Sequence, residues 1–292
     1  MLSKLSQKNT TQYMGVINLT PDSFSDGGKY NSVTSLNERI IELSKWAEII
    51  DLGAESTAPF NQAIGIDTEL SRFEESFYPI LEKSADPAIK ISIDTYRVEV
   101  FLEVASRVNK YWPNCALIWN DVSGVVDDAL LMALHGTQKF SYVFSHNLCG
   151  DRKKTSDHMQ FVDEHIDLIS HMENFFSNAL NEMKCNRNIF LDPCFGFSKT
   201  REQNHTLLRE FSRLANIFSH HHWVYGISRK SFLRFPKELD SKDPYNQSQL
   251  DQVQCFFLAD TLQKVDPSKM IFRIHDQRTK NAVESIQSII SE

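Results

Sequence analysis

The chain has 292 residues, 41% hydrophobic and 24% charged, which allows one large core and argues against fibrous or wholly disordered architectures. Its net charge of −7 argues against a nucleic-acid partner, no run reaches the roughly 18 apolar residues of a membrane span, and the first residues are too polar for a signal peptide. Five cysteines, odd in number, widely spread and without C-x-x-C spacing, indicate neither a disulfide framework nor a zinc site, so a cytoplasmic location is expected.

After a short polar segment, 1–12, short apolar runs alternate with longer amphipathic stretches throughout 13–292. The apolar runs fall at 13–17, 47–52, 89–93, 115–119, 140–144, 188–191, 223–227 and 270–274. Near-continuous apolar runs of this length suit parallel strands covered on both faces, which show no alternation. Helix-like stretches lie between them at 34–46, 67–83, 97–108, 159–184, 201–218 and 247–264, and another starts near 279. Eight strand-then-helix units predict an α/β protein with a single-domain (β/α)₈ barrel over 13–292; the rival is an open doubly wound sheet, which the strand count disfavours.

The loop after the first run, 18–28, holds an amide, two carboxylates, three hydroxyls and an aromatic ring around Pro21 and the pair Gly27-Gly28. A surface turn needs only the Pro, the Gly pair and one Asx residue, so the surplus points to a ligand. The other runs also end in polar residues. These are Glu55-Ser56-Thr57, Asp94-Thr95, Asn120-Asp121, Ser145-His146-Asn147, Asp192-Pro193, Ser228-Arg229-Lys230-Ser231 and Arg273 with His275-Asp276. Any one could cap a following helix, but the full set is hard to explain as caps, and barrel chemistry collects at these strand ends.

Asp94, Asn120, Asp192 and Lys230 supply acceptors and donors for a flat, nitrogen-rich heterocycle. Asn18, Arg273 and His275 supply an amide, a permanent cation and an imidazole suited to a phosphate or diphosphate. The run His220-His221-His222 reads as a solvated helix end, because consecutive residues share no face.

Taken in order, these motifs resemble the dihydropteroate synthase family, the pterin-binding transferases of folate biosynthesis, from Met14 to Asp276. The segments that carry the resemblance are 18–28, Glu55-Ser56-Thr57, Ser92-Ile93-Asp94-Thr95, Asn120-Asp121-Val122-Ser123-Gly124, Asp192-Pro193 with Gly196-Phe197, Ser228-Arg229-Lys230-Ser231 and Arg273-Ile274-His275-Asp276. The resemblance implies a (β/α)₈ barrel, usually a homodimer and a sulfonamide target. Such an enzyme joins p-aminobenzoate to 6-hydroxymethyl-7,8-dihydropterin diphosphate with Mg²⁺ and releases diphosphate.

It also implies roles. Asp94, Asn120, Asp192 and Lys230 hold the pterin, while Asn18, Thr57, Arg273 and His275 hold diphosphate, with Asn18 also the metal contact. Pro21, Phe24, Phe197, Lys230 and Ser231 form the aminobenzoate pocket, Ser231 offering its hydroxyl and N–H from the start of the helix after the seventh strand. Asp26, Asn18 and Lys230 are the implied catalytic residues, Asp26 stabilising the cation that develops as the C–O bond breaks.

The chain departs from the family at the second loop, where Ala58 replaces the usual Arg and Phe60 the usual Gly. Candidate replacements for the missing cation are Lys29, Arg152, Lys153 and Lys154. Cys194 stands where the family prefers Gly and reads as packing, and Ser145 stands where a Met commonly precedes the His. The alternatives are a weak or inactive pterin-diphosphate-binding homologue and a pterin-dependent methyltransferase on the same barrel.

Overall fold

The computed structural model describes residues 10–20, 32–55, 63–86, 88–157, 160–234 and 244–290. Eight short strands, β1 (Gln12–Asn18), β2 (Ile49–Gly53), β3 (Lys90–Asp94), β4 (Leu117–Asp121), β5 (Ser141–Ser145), β6 (Ile189–Asp192), β7 (His222–Tyr225) and β8 (Met270–Ile274), pair in parallel in chain order. β8 closes on β1 with Gln12 opposite Ile271, so the sheet is the expected closed barrel rather than the open doubly wound alternative.

The layer outside the strands is formed by α1 (Ser32–Ser44), α2 (Ile66–Ser76), α3 (Tyr78–Lys83), α4 (Val98–Tyr111), α5 (Asp128–His135), α6 (Leu168–Met183), α7 (Arg201–Ile217), α8 (Pro244–Lys264) and α9 (Gln277–Ile290). Their apolar stripes cover the outward strand residues in one large core, in which Trp223 meets Phe176 and Phe211 edge-on.

Inside the barrel a separate apolar layer plugs the bottom: Met14, Ile49, Ile118, Val143, Val224 and Ile271, all nearly or wholly buried. Side chains two residues apart on a strand share a face. Moving up two residues therefore gives the next interior layer: Val16, Asp51, Asn120, Ser145, Gly226 and Arg273, with Asp192 above Phe190 on β6. The apolar floor and the polar layer above it are one pattern, read two residues apart.

Some boundaries differ from expectation. The stretch 67–83 is two helices rather than one, because Pro79 cannot donate a helical hydrogen bond and sits instead in the first turn of α3. The stretch expected from 159 becomes helical only at Leu168, where Asp167 accepts a hydrogen bond from the Ser170 N–H at 2.8 Å. α5 was not among the expected helices; it is one eight-residue segment started by an Asp127 cap. His222 opens β7 and lies against Phe190 with ring centroids 5.3 Å apart, so the histidine run straddles a loop and a strand rather than ending a helix.

Candidate active site

The polar layer opens into a cavity of ≈ 360 Å³ at the C-terminal end of the barrel. Asn18, Asp94, Asn120, Asp192, Phe197, Lys230, Ser231, Arg273 and His275 all line it, although they come from six strands or the loops that follow them. Pro21, Phe24, Asp26 and Thr57, with Ala58 and Phe60, lie outside the described residues.

A guanidinium fork organises the base of this cavity. Arg273 donates Nε–H to Asp51 Oδ2 and an Nη2–H to Asp94 Oδ2, both at 2.7 Å. Asn120 donates from Nδ2 to the two oxygens of Asp51, at 3.3 and 3.2 Å, and its Oδ1 is buried without a partner among the described residues. Burial disfavours the Arg273 cation, but the Asp51 and Asp94 charges more than offset this and hold its pKa above the usual arginine value. Burial raises the Asp94 pKa, the Asp51 charge raises it further, and Arg273 opposes both. Asp192 is pushed up to about 6, chiefly by burial, and accepts a hydrogen bond from the Cys194 N–H at 2.6 Å.

The β6 loop is wound tightly. Cys194, Gly196 and Ser198 alternate through left-handed conformations, with φ of +53°, +84° and +51°. A left-handed non-glycine residue is costly, which gives a physical reason for a glycine preference at position 194. Inside the turn the buried Lys199 ammonium donates to the carbonyls of Phe197 at 3.0 Å and of Cys194 and His146 at 3.3 Å, fixing this loop to the one after β5. Its pKa falls to about 8, chiefly through burial. Cys194 is buried and its thiol is pushed up to about 12, as suits a packing residue.

At the other wall, Lys230 precedes a 3₁₀ turn, Ser231–Leu233, and α8 begins only at Pro244. Ser231 is therefore not at the start of a long helix, and a three-residue turn offers little helix-dipole field to an anion. His275 Nδ1 lies 2.8 Å from Ser228 Oγ, and burial, aided by Arg229, Arg273, Lys230 and Arg39, lowers its pKa to about 3. It is a neutral hydrogen-bonding imidazole in the free site.

Arg152 is not a spare cation. It donates to Asp121 at 2.6 Å and Asp127 at 2.9 Å, beneath the β4 loop, with Tyr142 donating to the same Asp121 at 2.7 Å. Lys153 and Lys154 are exposed, and Lys29 lies outside the described residues. The sequence reading missed Asp51, hidden inside the apolar run of β2, and Lys199, which follows the β6 loop motif without any signal of its own. An acid inside a strand buried on both faces was the available signal for the first.

A barrel with carboxylates, two amides and three cations gathered above an apolar floor is a site for a polar, planar ligand, and the sequence profile described as "Pterin binding enzyme" matches residues 14–264. The fold and site thus define a pterin-binding barrel enzyme. The chain is 35% identical over 240 residues to dihydropteroate synthase of a Synechocystis strain, covering 80% of this chain and 76% of that one. It is 30% identical over 233 residues to that of Bacillus subtilis, covering 79% and 74%. The solved structure of the Clostridium difficile dihydropteroate synthase in the presence of pteroic acid superposes with a TM-score of 0.74 at 26% identity, covering 97% of this chain and 98% of that one. The chain belongs to the dihydropteroate synthase family. These relatives favour the synthase reading over the methyltransferase and the non-catalytic homologue.

Proposed function

We propose that the chain joins p-aminobenzoate to 6-hydroxymethyl-7,8-dihydropterin diphosphate, forming 7,8-dihydropteroate and diphosphate. The observation that carries this reading is the convergence of Asp94, Asn120, Asp192, Lys230, Arg273 and His275 on one cavity. Asp192, partly screened from water, accepts from the exocyclic amine and adjacent ring N–H of the pterin. Asn120 Oδ1, buried and without a partner among the described residues, accepts from a further N–H, and Lys230 donates to a ring acceptor.

The C–O bond breaks as the electron-rich pterin stabilises the methylene cation, so the protein contributes mainly orientation and electrostatic stabilisation. Its neutral aryl amine nucleophile needs no strong base. Phe197 and the stem of Lys230 form one described wall of the aminobenzoate pocket, and the Ser231 hydroxyl and N–H are available to its carboxylate. The dihydropteroate synthase of Yersinia pestis has been solved as a sulfonamide drug complex, and sulfonamide competition at this wall is part of the proposal.

Mg²⁺ prefers oxygen ligands and retains several waters. Among the described residues no cluster of three His, Cys, Asp or Glu could hold a metal, whereas the exposed Asn18 amide at the end of β1 offers the single oxygen contact that such an ion needs beside a diphosphate. When bound, Mg²⁺ would neutralise charge on the leaving diphosphate. A homodimer is proposed on the exposed apolar residues Phe256 of α8 and Ile289 and Ile290 of α9. Among the described residues no helix is long and apolar enough to cross a membrane, and a cytoplasmic location is proposed alongside this.

Release of diphosphate from the pterin substrate tests the reaction. It is expected to require Mg²⁺ and to accelerate when p-aminobenzoate is added; no release above the uncatalysed background would overturn the proposal.

A further inference from the structure

Asp51 is wholly buried in β2 and is not part of the cavity wall, yet its carboxylate is held by two side chains that are. Arg273 Nε donates to Oδ2 at 2.7 Å, and Asn120 Nδ2 donates to both oxygens at 3.2 and 3.3 Å. Stability alone does not call for an acid here. A buried ion pair is often matched by apolar residues of similar volume, and the Ile49 position two residues below is packed in that way.

The carboxylate does impose a direction. It can only accept, so Asn120 must turn its NH₂ toward Asp51, and the amide then presents Oδ1 on the opposite side. That oxygen is buried with no partner among the described residues. An unpaired buried acceptor is costly, and a ligand N–H removes the cost. In the same way the Nε bond fixes the plane of the Arg273 guanidinium, leaving its Nη2 arm on Asp94.

We propose that Asp51 sets the hydrogen-bonding polarity of the pterin site: it makes Asn120 an acceptor toward the ligand and holds Arg273 flat beside Asp94, selecting a heterocycle that offers an N–H at that edge. Asp51 is a positioning and specificity residue that acts through Asn120 and Arg273. This rests on the pterin reading proposed above.

The test is the steady-state kinetics of Asp51→Asn. An asparagine at 51 can donate to Asn120 Oδ1 and release the amide to turn, so the KM for pterin diphosphate is expected to rise about tenfold or more, the loss expected for a charged hydrogen bond. The KM for p-aminobenzoate is expected to stay within about twofold, since no described contact joins Asp51 to that wall. No change, or equal rises for both substrates, overturns the proposal.

Exchanging the pair, Asp51→Asn with Asn120→Asp, keeps the charge count of the site and again offers the ligand an acceptor. The exchange is expected to bring the pterin KM back below that of Asn120→Asp alone, and it serves where Asp51→Asn does not fold. Failure of the exchange to improve on Asn120→Asp overturns the proposal. Wild-type protein in the same assay separates the two claims. An inactive wild type removes the pterin reading itself, whereas an active wild type with an unaffected Asp51→Asn variant removes only the role of Asp51.

Discussion

Lys230 holds its ammonium 4.8 Å from the centre of the Phe197 ring. Gly196 brings the β6 loop close enough that a Cβ there would lie 3.5 Å from Lys230 Cδ. On the function proposed above, one side chain would thereby serve both the pterin end of the cavity and the aminobenzoate wall. Burial lowers its pKa, with Asp192 and Asp94 among the charges that oppose the fall.

Lys230→Met keeps the apolar stem and removes the ammonium. It is expected to lower kcat/KM for both substrates, by about 10- to 100-fold if one charged hydrogen bond is lost. Steady-state kinetics with each substrate varied in turn checks this; a loss confined to one substrate would show that Lys230 does not join the two subsites.

Asp192 titrates at about 6 in the fold against 3.8 for the ordinary side chain. A carboxyl whose folded value is raised makes the native state hold the extra proton, so its contribution to stability falls as pH rises between those two values and is lost above the higher one. Asp192→Asn retains an acceptor for the Cys194 N–H but carries no charge. Melting of the ligand-free variant is expected to rise at about pH 8, by roughly 2–4 °C for each kcal/mol relieved, with little change near pH 4. A rise of the same size at both pH values would contradict burial of the charge as the cause.

With a pKa near 3, His275 stays neutral through the working range of the free enzyme. Since kcat/KM reports ionisations of free enzyme, His275→Gln is expected to lower kcat/KM without moving the acid limb of its pH profile. That limb is expected to follow Asp94 and Asp192, the buried carboxyls with raised values. A pH–rate profile displaced by about one unit in the variant would assign the limb to His275 instead.

Gly124 has a φ of +67°, and a Cβ there would meet Asn147 O at 2.2 Å and Ser145 O at 2.8 Å. Gly150 has the same φ but nothing within 4 Å. Gly150→Ala is therefore expected to cost only the left-handed conformation, about 1–2 kcal/mol. Gly124→Ala adds a backbone clash beneath the Asn120 loop and is expected to cost clearly more, about 3 kcal/mol or above. Urea unfolding of the two variants makes the comparison; equal losses would remove the clash from the account.

The nine described site residues were legible because a parallel barrel puts the end of every strand on one face, so polar residues after apolar runs converge whatever their distance in sequence. Asp51 lay hidden by the same logic. Two residues above the apolar floor, it fell within a run read as core, and only the closed barrel brings Arg273 of β8 to it. Lys199 was likewise illegible, since the His146 carbonyl it binds is 53 residues away. Arg152 appeared free in sequence because its partners, Asp121 at the end of β4 and Asp127 at the cap of α5, are brought to it only by the fold. The helix after β5 was placed too early because its amphipathic pattern continues into residues that precede the Asp167 cap.

The most direct test of the account is a parallel assay of wild type and Asp192→Asn with pterin diphosphate, Mg²⁺ and isotopically labelled p-aminobenzoate, followed by mass analysis of dihydropteroate. Labelled dihydropteroate from the wild type and none above background from the folded variant is the expected result. No labelled product from the wild type, or equal product from both, would contradict a synthase that holds its pterin on Asp192.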